Sequence, residues 1–157
     1  MGYAEFVLEN YPIKAKYREL KNQVGKIMTD PITDMFNRIR NAQAVSKEKV
    51  YIPFSSLKFH IATVLERKGF IGEIRKRKQK NKKIIEIILK YNDQGAPVIS
   101  GIKKVSKPGQ RIYAKSGQIR IAKGGHGITI VSTPSGVITG REAKKRGLGG
   151  EVIAEIW

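Results

Sequence analysis

Apolar residues recur at helical spacing in two stretches of the first hundred residues. In each stretch, four of them fall on one face of a helix with 3.6 residues per turn. The first face comprises Ile32, Met35, Phe36 and Ile39, and the second comprises Leu57, Ile61, Val64 and Leu65. Asp30-Pro31 can start the first helix, because Asp accepts from free amides and Pro suits the first helical position. Ser55 or Ser56 can cap the second helix, and Gly69 is placed to end it.

Short β-rich runs surround these two helices. We predict a strand at 50–52 and a hairpin of strands 70–74 and 84–91, joined by the polar run 75–83 as its loop. A further strand is predicted at 98–105. Together, the helices, the first strand and the hairpin indicate a compact α/β unit.

The second half of the chain changes character. Turn signals separate short apolar runs at 119–121, 128–131 and 152–156, which is typical of a small antiparallel β-domain. Thr139 and Glu142 stand in the capping-box relation, and Gly147 is placed to end the short helix that they start. The pattern therefore predicts an α+β fold with an α/β domain at 28–100 and a β-rich domain at 101–157. Residues 1–27 are interpreted as an extension that could be a basic tail, a short helix or a mobile segment.

Charge narrows the choice of partners. The chain has 31 Lys and Arg against 13 Asp and Glu, a formal net charge of +18. Such an excess indicates a polyanion, either nucleic acid or an acidic membrane surface. No run approaches the roughly 20 apolar residues that span a bilayer. A membrane-peripheral protein would need a long amphipathic helix with exposed aromatic residues, whereas the one Trp is the last residue. We therefore expect no membrane partner.

Residues suited to catalysis are scarce. The chain has no Cys and only His60 and His126, so neither a thiolate site nor a multi-histidine metal site is expected. The run 124–127 is glycine-rich but lacks the Lys-Ser/Thr ending of a P-loop, and we interpret it as a β-turn. Beyond residue 93 the acidic residues are Glu142, Glu151 and Glu155, which suggest no carboxylate pair. We expect no enzyme activity, no metal and no cofactor.

Two segments are candidates for contact with RNA. The run 75–83 has seven cations in nine residues, which suits either phosphate contact or a solvated tip that prevents edge pairing. The run 128–137 is a strand leading to a turn with Ser132, Thr133 and Ser135. Short hydroxyls and free amides can approach sugar hydroxyls and base edges closely, as recognition of folded RNA requires. An ordinary hairpin turn explains the same residues.

The order of segments resembles the family of ribosomal protein eight of the small subunit, over residues 28–157. The opening match is at 29–32, 34–35 and 38–42, and the second helix is similar at 53, 57–58, 61–62 and 69–71. The segment 106–109 with 111–113 is similar to the family's inter-domain passage. The most specific match is the C-terminal signature at 131–133, 136–137, 139, 141–143 and 147–151.

The resemblance implies a function and a set of site residues. It implies an N-terminal α/β domain packed on a C-terminal β-rich domain, and direct, early binding to a helix in the central domain of 16S-type rRNA. Further implied partners are neighbouring small-subunit proteins and the protein's own mRNA, and the location is the cytoplasmic ribosome. The resemblance implies RNA contact at Ser132, Thr133, Tyr113, Gly150 and Glu151. Together with them we expect RNA contact at Ser135, Gly136, Lys58, Arg38 and Arg40.

The chain departs from the family pattern at two places, and one alternative function fits the same sequence features. The family commonly has a small polar residue followed by Lys where this chain has Pro134 and Ser135, and often Lys at Ser56. These changes affect individual phosphate contacts rather than the whole surface. The alternative function is a free-standing regulator that binds messenger RNA with the same chemistry.

Overall fold

The computed structural model describes residues 30–157, and in that part Ile32–Trp157 forms one compact unit. The elements in order are α1 (Pro31–Ala44), β1 (Lys49–Pro53), α2 (Ser56–Arg67), β2 (Ile74–Gln79), β3 (Lys82–Ile88), β4 (Ile102–Lys104), β5 (Tyr113–Ala114), β6 (Ile128–Thr133), β7 (Gly136–Thr139), α3 (Gly140–Arg146) and β8 (Gly150–Ile156). Two short 3₁₀ turns, Ser116–Gln118 and Ala122–Gly125, lie between β5 and β6.

Helices α1 and α2 form where the apolar spacing predicted them. All four residues of the first predicted face are buried. Ser55 is the N-cap of α2 and accepts from the amide of Lys58, whereas Gly69 follows the helix with a φ of 79°. The second predicted face is wrong at one position: Leu57 is 39% exposed, and Lys58 is buried in its place. The aliphatic stem of a lysine can pack inward when its ammonium finds an acceptor, and here Pro53 provides one.

Strands β1, β3 and β2 form an antiparallel sheet in that order. The predicted hairpin is present, but the prediction that residues 75–83 form its loop is wrong. Residues 75–79 belong to β2 and residues 82–83 to β3, with Lys80 and Asn81 alone at the turn. Both turn residues have positive φ, 47° and 62°, as a two-residue hairpin with the right twist requires. The cations therefore lie on paired strands.

The second sheet has the order β4-β8-β6-β7, and β5 also pairs with β8. The register of β6 on β8 shifts between Ile130 and Val131, which marks a β-bulge. Thr139 and Glu142 form the predicted capping box of α3, and Gly147 ends that helix in the left-handed conformation. The predicted strand at 119–121 is wrong. Ile119 lies between the two 3₁₀ turns in the sequence, and its side chain joins the buried cluster of Val131, Ile138 and Ala143. Of the predicted strand at 98–105, only residues 102–104 form a strand, β4.

One core joins both sheets. Its largest cluster contains residues of α1, α2 and β3 together with Ile130, Ile153, Ala154 and Ile156 of the second sheet. A smaller cluster of Ile119, Val131, Ile138 and Ala143 lies beneath α3. The α+β fold with a β-rich C-terminal part is confirmed. The boundary between residues 100 and 101 stays a prediction, and the predicted extension at 1–27 lies outside the described residues.

Candidate nucleic-acid interface

Three residues predicted from separate segments lie in one row across the second sheet. Glu151 on β8 is directly opposite Ser132 on β6 and, on its other side, directly opposite Tyr113 on β5. Val137 of β7 completes the row opposite Ser132. Because opposed residues of antiparallel strands point to the same face, the hydroxyl, the carboxylate and the phenol share one surface. We call Val137, Ser132, Glu151 and Tyr113 the cross-strand row.

The cross-strand row lies at the border between the buried and the exposed part of one face of the sheet. Ser132 is two residues beyond Ile130, so alternation along β6 puts both side chains on the same face. Ile130 is fully buried, whereas Ser132 is partly exposed. Within the described residues, the Ser132 hydroxyl makes no intramolecular hydrogen bond. It is therefore available to a partner that docks on this face.

The turn beside the row consists of Pro134 and Ser135 and is closed by Thr133. The Thr133 hydroxyl donates to the carbonyl oxygen of Gly136 over 2.8 Å and accepts from the amide of Ser135 over 3.2 Å. Thr133 is 8% exposed, whereas Pro134, Ser135 and Gly136 are exposed. Gly136 has a φ of 113°, which residues with a side chain rarely adopt. The turn thus presents the Ser135 hydroxyl and bare backbone, with the Thr133 hydroxyl holding its shape.

Gly150 allows β8 to approach β6 closely at the row. A Cβ at this position would overlap the carbonyl oxygen of Ser132 and lie 2.9 Å from its carbonyl carbon. Any side chain would push β8 away from β6 beside Ser132 and Glu151. Gly150 therefore shapes the surface through its backbone.

Tyr113 is the most exposed large hydrophobic residue between residues 30 and 157, with 71% of its area accessible. It borders an open groove of about 660 Å³ that is also lined by Lys115, Ser116, Gln118, Gly149 and Gly150. An exposed ring beside a groove with a cation and amide groups can stack on a base and contact its sugar or phosphate. The sequence analysis did not identify Lys115 or Gln118 as site residues, because neither belongs to a recognisable motif, although Lys115 is only two residues from Tyr113.

Glu151 places a carboxylate in the cross-strand row. The guanidinium of Arg111 is 3.0 Å from its Oε1 atom, and this pair is partly solvent-exposed. The Arg111 charge offsets the repulsion that a lone carboxylate would exert on phosphates. A paired carboxylate can still accept from a base amino group or a ribose hydroxyl. The sequence placed Arg111 in a matching segment without assigning it this role.

Lys58 lies apart from the exposed surface. Only 5% of its area is accessible, and its ammonium donates to the carbonyl oxygen of Pro53 over 2.9 Å. Burial lowers the pKa of Lys58 from its usual value, although Asp34 nearby opposes this effect. The amine therefore ties the start of α2 to the end of β1.

Arg38 and Arg40 project from α1 and are both exposed, but neither lies at the cross-strand row. Arg38 is paired with Asp34 at 2.8 Å and borders a different groove with Lys47, Lys49 and Tyr51. Arg40 donates to the carbonyl oxygen of Ile102 over 2.9 Å. Ile102 pairs with Ile156, five residues along β8 from Glu151, which corresponds to about 17 Å. The structure thus groups seven of the ten predicted site residues and separates Lys58, Arg38 and Arg40 from them.

Between residues 30 and 157, no cluster of His and acidic side chains could hold a metal ion. No helix in that range is long and apolar enough to cross a membrane.

A family model described as Ribosomal protein S8 matches residues 30–157. The chain is therefore a ribosomal protein rather than an enzyme. The chain belongs to the ribosomal protein S8 family, which confirms the resemblance seen in its sequence.

Bacterial relatives support this assignment over most of the chain. The chain is 47% identical over 131 residues to the small ribosomal subunit protein uS8 of Halalkalibacterium halodurans, covering 83% of this chain and 99% of the relative. It is 48% identical over 130 residues to uS8 of Natranaerobius thermophilus, covering 83% and 98%. The identity to uS8 of Bifidobacterium longum subsp. infantis is 46% over 130 residues, with the same coverage.

Proposed function

We propose that this protein is a structural constituent of the small ribosomal subunit that binds rRNA directly through the cross-strand row and the adjacent turn. The observation that supports this most is the row itself. It brings a free hydroxyl, a paired carboxylate and an exposed ring from three strands onto one surface. Recognition of folded RNA combines stacking on an aromatic ring with hydrogen bonds to base edges and ribose hydroxyls, and these three groups can provide both.

The contacts have different roles in the proposal. Ser132 and Ser135 donate to sugar or base groups, Tyr113 stacks on an unpaired base, and Glu151 accepts from a base amino group or a ribose hydroxyl. Thr133, Gly136 and Gly150 act through the backbone shape that they permit. Lys58 positions α2 rather than reaching the RNA, and Arg38 and Arg40 serve as more distant phosphate contacts.

The target proposed is a helix in the central domain of 16S-type rRNA, bound early during platform assembly on the ribosome. Neighbouring small-subunit proteins and a matching structure in the protein's own mRNA are further proposed partners. One surface can serve both RNAs, because it would recognise RNA shape rather than the molecule that presents it.

Chemical footprinting of naked small-subunit rRNA tests the proposal. We expect the protein to protect one internal helix of the central domain in the absence of every other ribosomal protein. A Ser132→Ala/Tyr113→Ala variant should lose that protection while remaining folded. Protection that appears only after other proteins are added would contradict direct, early binding.

A further inference from the structure

The β2–β3 hairpin contains the densest positive charge of the described chain, and the proposed rRNA interface does not use it. All nine residues from 75 to 83 are exposed. The structure divides its seven cations into two groups with different surroundings.

The cations at the base of the hairpin are held by the protein itself. The Arg75 guanidinium contacts Glu73 at 2.6 and 2.8 Å, and Arg77 lies 3.4 Å from the buried carboxylate of Glu86. The ammonium of Lys76 lies over the rings of Phe54 and Phe59, 5.5 and 4.4 Å from their centroids. These three side chains fasten the hairpin to the sheet and to the first turn of α2.

The cations at the tip, Lys78, Lys80, Lys82 and Lys83, have no such partners. Across residues 30–157, no acidic side chain forms a salt bridge with any of them. Lys78 is directly opposite Lys83 in the register, so two ammonium groups share one face of the ribbon. Like charges directly opposed on a sheet are destabilising, and a polyanion that binds between them would relieve this repulsion.

The shape of the tip suits a double-helical partner. The two-residue turn at Lys80 and Asn81 keeps the strands paired to the end, so the tip is a narrow two-stranded ribbon. Lys78 and Lys83 point to one face, and Lys82, one residue along, points to the other. A ribbon with ammonium groups on both faces can contact the two phosphate rows that flank the narrow major groove of an RNA helix.

Helix α2 connects this hairpin to the proposed rRNA surface. The helix packs against both β2 and β7, and β7 begins at Gly136. The ring of Phe59 on α2 lies beneath Lys76, so the hairpin base is fixed relative to that helix. One RNA could therefore span both elements.

We propose that the hairpin tip of Lys78, Lys80, Lys82 and Lys83 is a second RNA contact, which binds the phosphate backbone of an RNA double helix without reading its sequence. This inference rests on the proposed rRNA-binding function and adds a separate surface to it.

Two matched variants of the full chain test the inference. Lys78→Gln/Lys83→Gln and Arg75→Gln/Arg77→Gln each remove two positive charges from the same hairpin. Affinity is measured between 50 and 200 mM salt for a central-domain rRNA fragment and for an unrelated RNA duplex of equal length. Thermal unfolding is recorded on the same preparations.

The lysine variant is expected to weaken binding to both RNAs. Each lost phosphate contact lowers the slope of log affinity against log salt by about one, so the affinity deficit should be about tenfold larger at 50 mM than at 200 mM. Its melting temperature should be unchanged or higher, because the opposed ammonium pair is gone. The arginine variant should melt lower, since Glu73 and Glu86 lose their partners, and should keep nearly the parental slope. Lys78→Arg/Lys83→Arg should retain full binding.

Each contrary result has a defined meaning. An unchanged slope in the lysine variant, or an equal loss in the arginine variant, overturns the hairpin contact. Lysine-dependent binding to the unrelated duplex without preference for the rRNA fragment supports the hairpin and overturns the cross-strand row instead. Loss of subunit incorporation with intact RNA affinity would assign the tip to a protein partner and overturn this inference.

Discussion

The hydroxyl of Thr133 donates to the carbonyl oxygen of Gly136 over 2.8 Å, which closes the turn between β6 and β7. The neighbouring hydroxyl of Ser132 makes no hydrogen bond within the described residues and is partly exposed where the face that buries Ile130 reaches the surface. Two adjacent hydroxyls in one segment thus have different tasks, one in the fold and one at the surface.

Single substitutions are expected to separate these tasks. Thr133→Val should lower the free energy of unfolding by about 1–2 kcal/mol, because two hydrogen bonds of the turn are lost. Ser132→Ala should change it by less than about 0.5 kcal/mol and weaken cognate RNA binding about three- to tenfold. Denaturant titration and the cognate-to-random affinity ratio measure the two effects. A destabilised Ser132→Ala variant with normal discrimination would remove Ser132 from the interface.

Tyr113 is expected to act through its ring. Tyr113→Ala should lose about 1–3 kcal/mol of RNA-binding free energy, as removal of a stacked aromatic usually does. Tyr113→Phe should retain most of the affinity. Both variants should melt like the parent, because the ring is 71% exposed. Equal loss in the two variants would show that the phenol hydroxyl, rather than stacking, makes the contact.

Lys58 provides a contrasting case among the predicted contacts. Lys58→Met keeps the buried stem but removes the ammonium that donates to Pro53. The salt slope of RNA binding should stay at the parental value, whereas the same test on a surface phosphate contact would lower it by about one. Fluorescence anisotropy across a salt series gives this slope. A decrease of about one would indicate that the Lys58 ammonium reaches a phosphate despite its burial.

Glu142 is expected to make stability depend on acid pH. Burial favours a higher pKa for this carboxyl, but the hydrogen bond from Lys68, the Thr139 amide and the charge of Arg67 outweigh it, so the pKa lies below its usual value. A carboxyl with a lowered folded-state pKa stabilises the fold above the unfolded value of about 4.5. That contribution is lost as the pH falls through the lower, folded-state pKa.

Thermal unfolding between pH 7 and pH 3 measures this contribution. Glu142→Gln should melt below the parent at neutral pH, and the difference should shrink as the pH falls below about 4.5. Glu48→Gln removes an exposed carboxyl from the same chain and serves as the control. A difference between the parent and Glu142→Gln that stays constant from pH 7 to pH 3 would contradict the ionic role of Glu142.

The sequence predicted the elements whose signals are local. The apolar spacing of α1, the Ser55 cap and the Thr139–Glu142 capping box involve residues within one or two turns of each other, and each formed as expected. The grouping of Ser132, Tyr113, Gly150 and Glu151 came from the family resemblance, since only strand pairing brings these distant segments together.

The sequence predictions were wrong where a residue distant in the sequence, or the pairing of one strand with another, determined the local structure. Lys58 turned inward because Pro53 supplies an acceptor that no helical pattern reveals. The basic run continued as strand because β3 pairs with it, although its composition indicated a loop. Ile119 is buried beside Val131 and Ile138 without joining a strand, since a single apolar residue between two tight turns is enough to fill that cluster.

Strand β8 affects when the core can form during synthesis of the chain. It pairs with β4, β5 and β6, and its residues Ile153, Ala154 and Ile156 complete the core to which α1 and α2 contribute first. During synthesis, the apolar faces of both helices therefore stay partly uncovered until β8 has also been made. A chain released before β8 would expose these surfaces to chaperones and proteases.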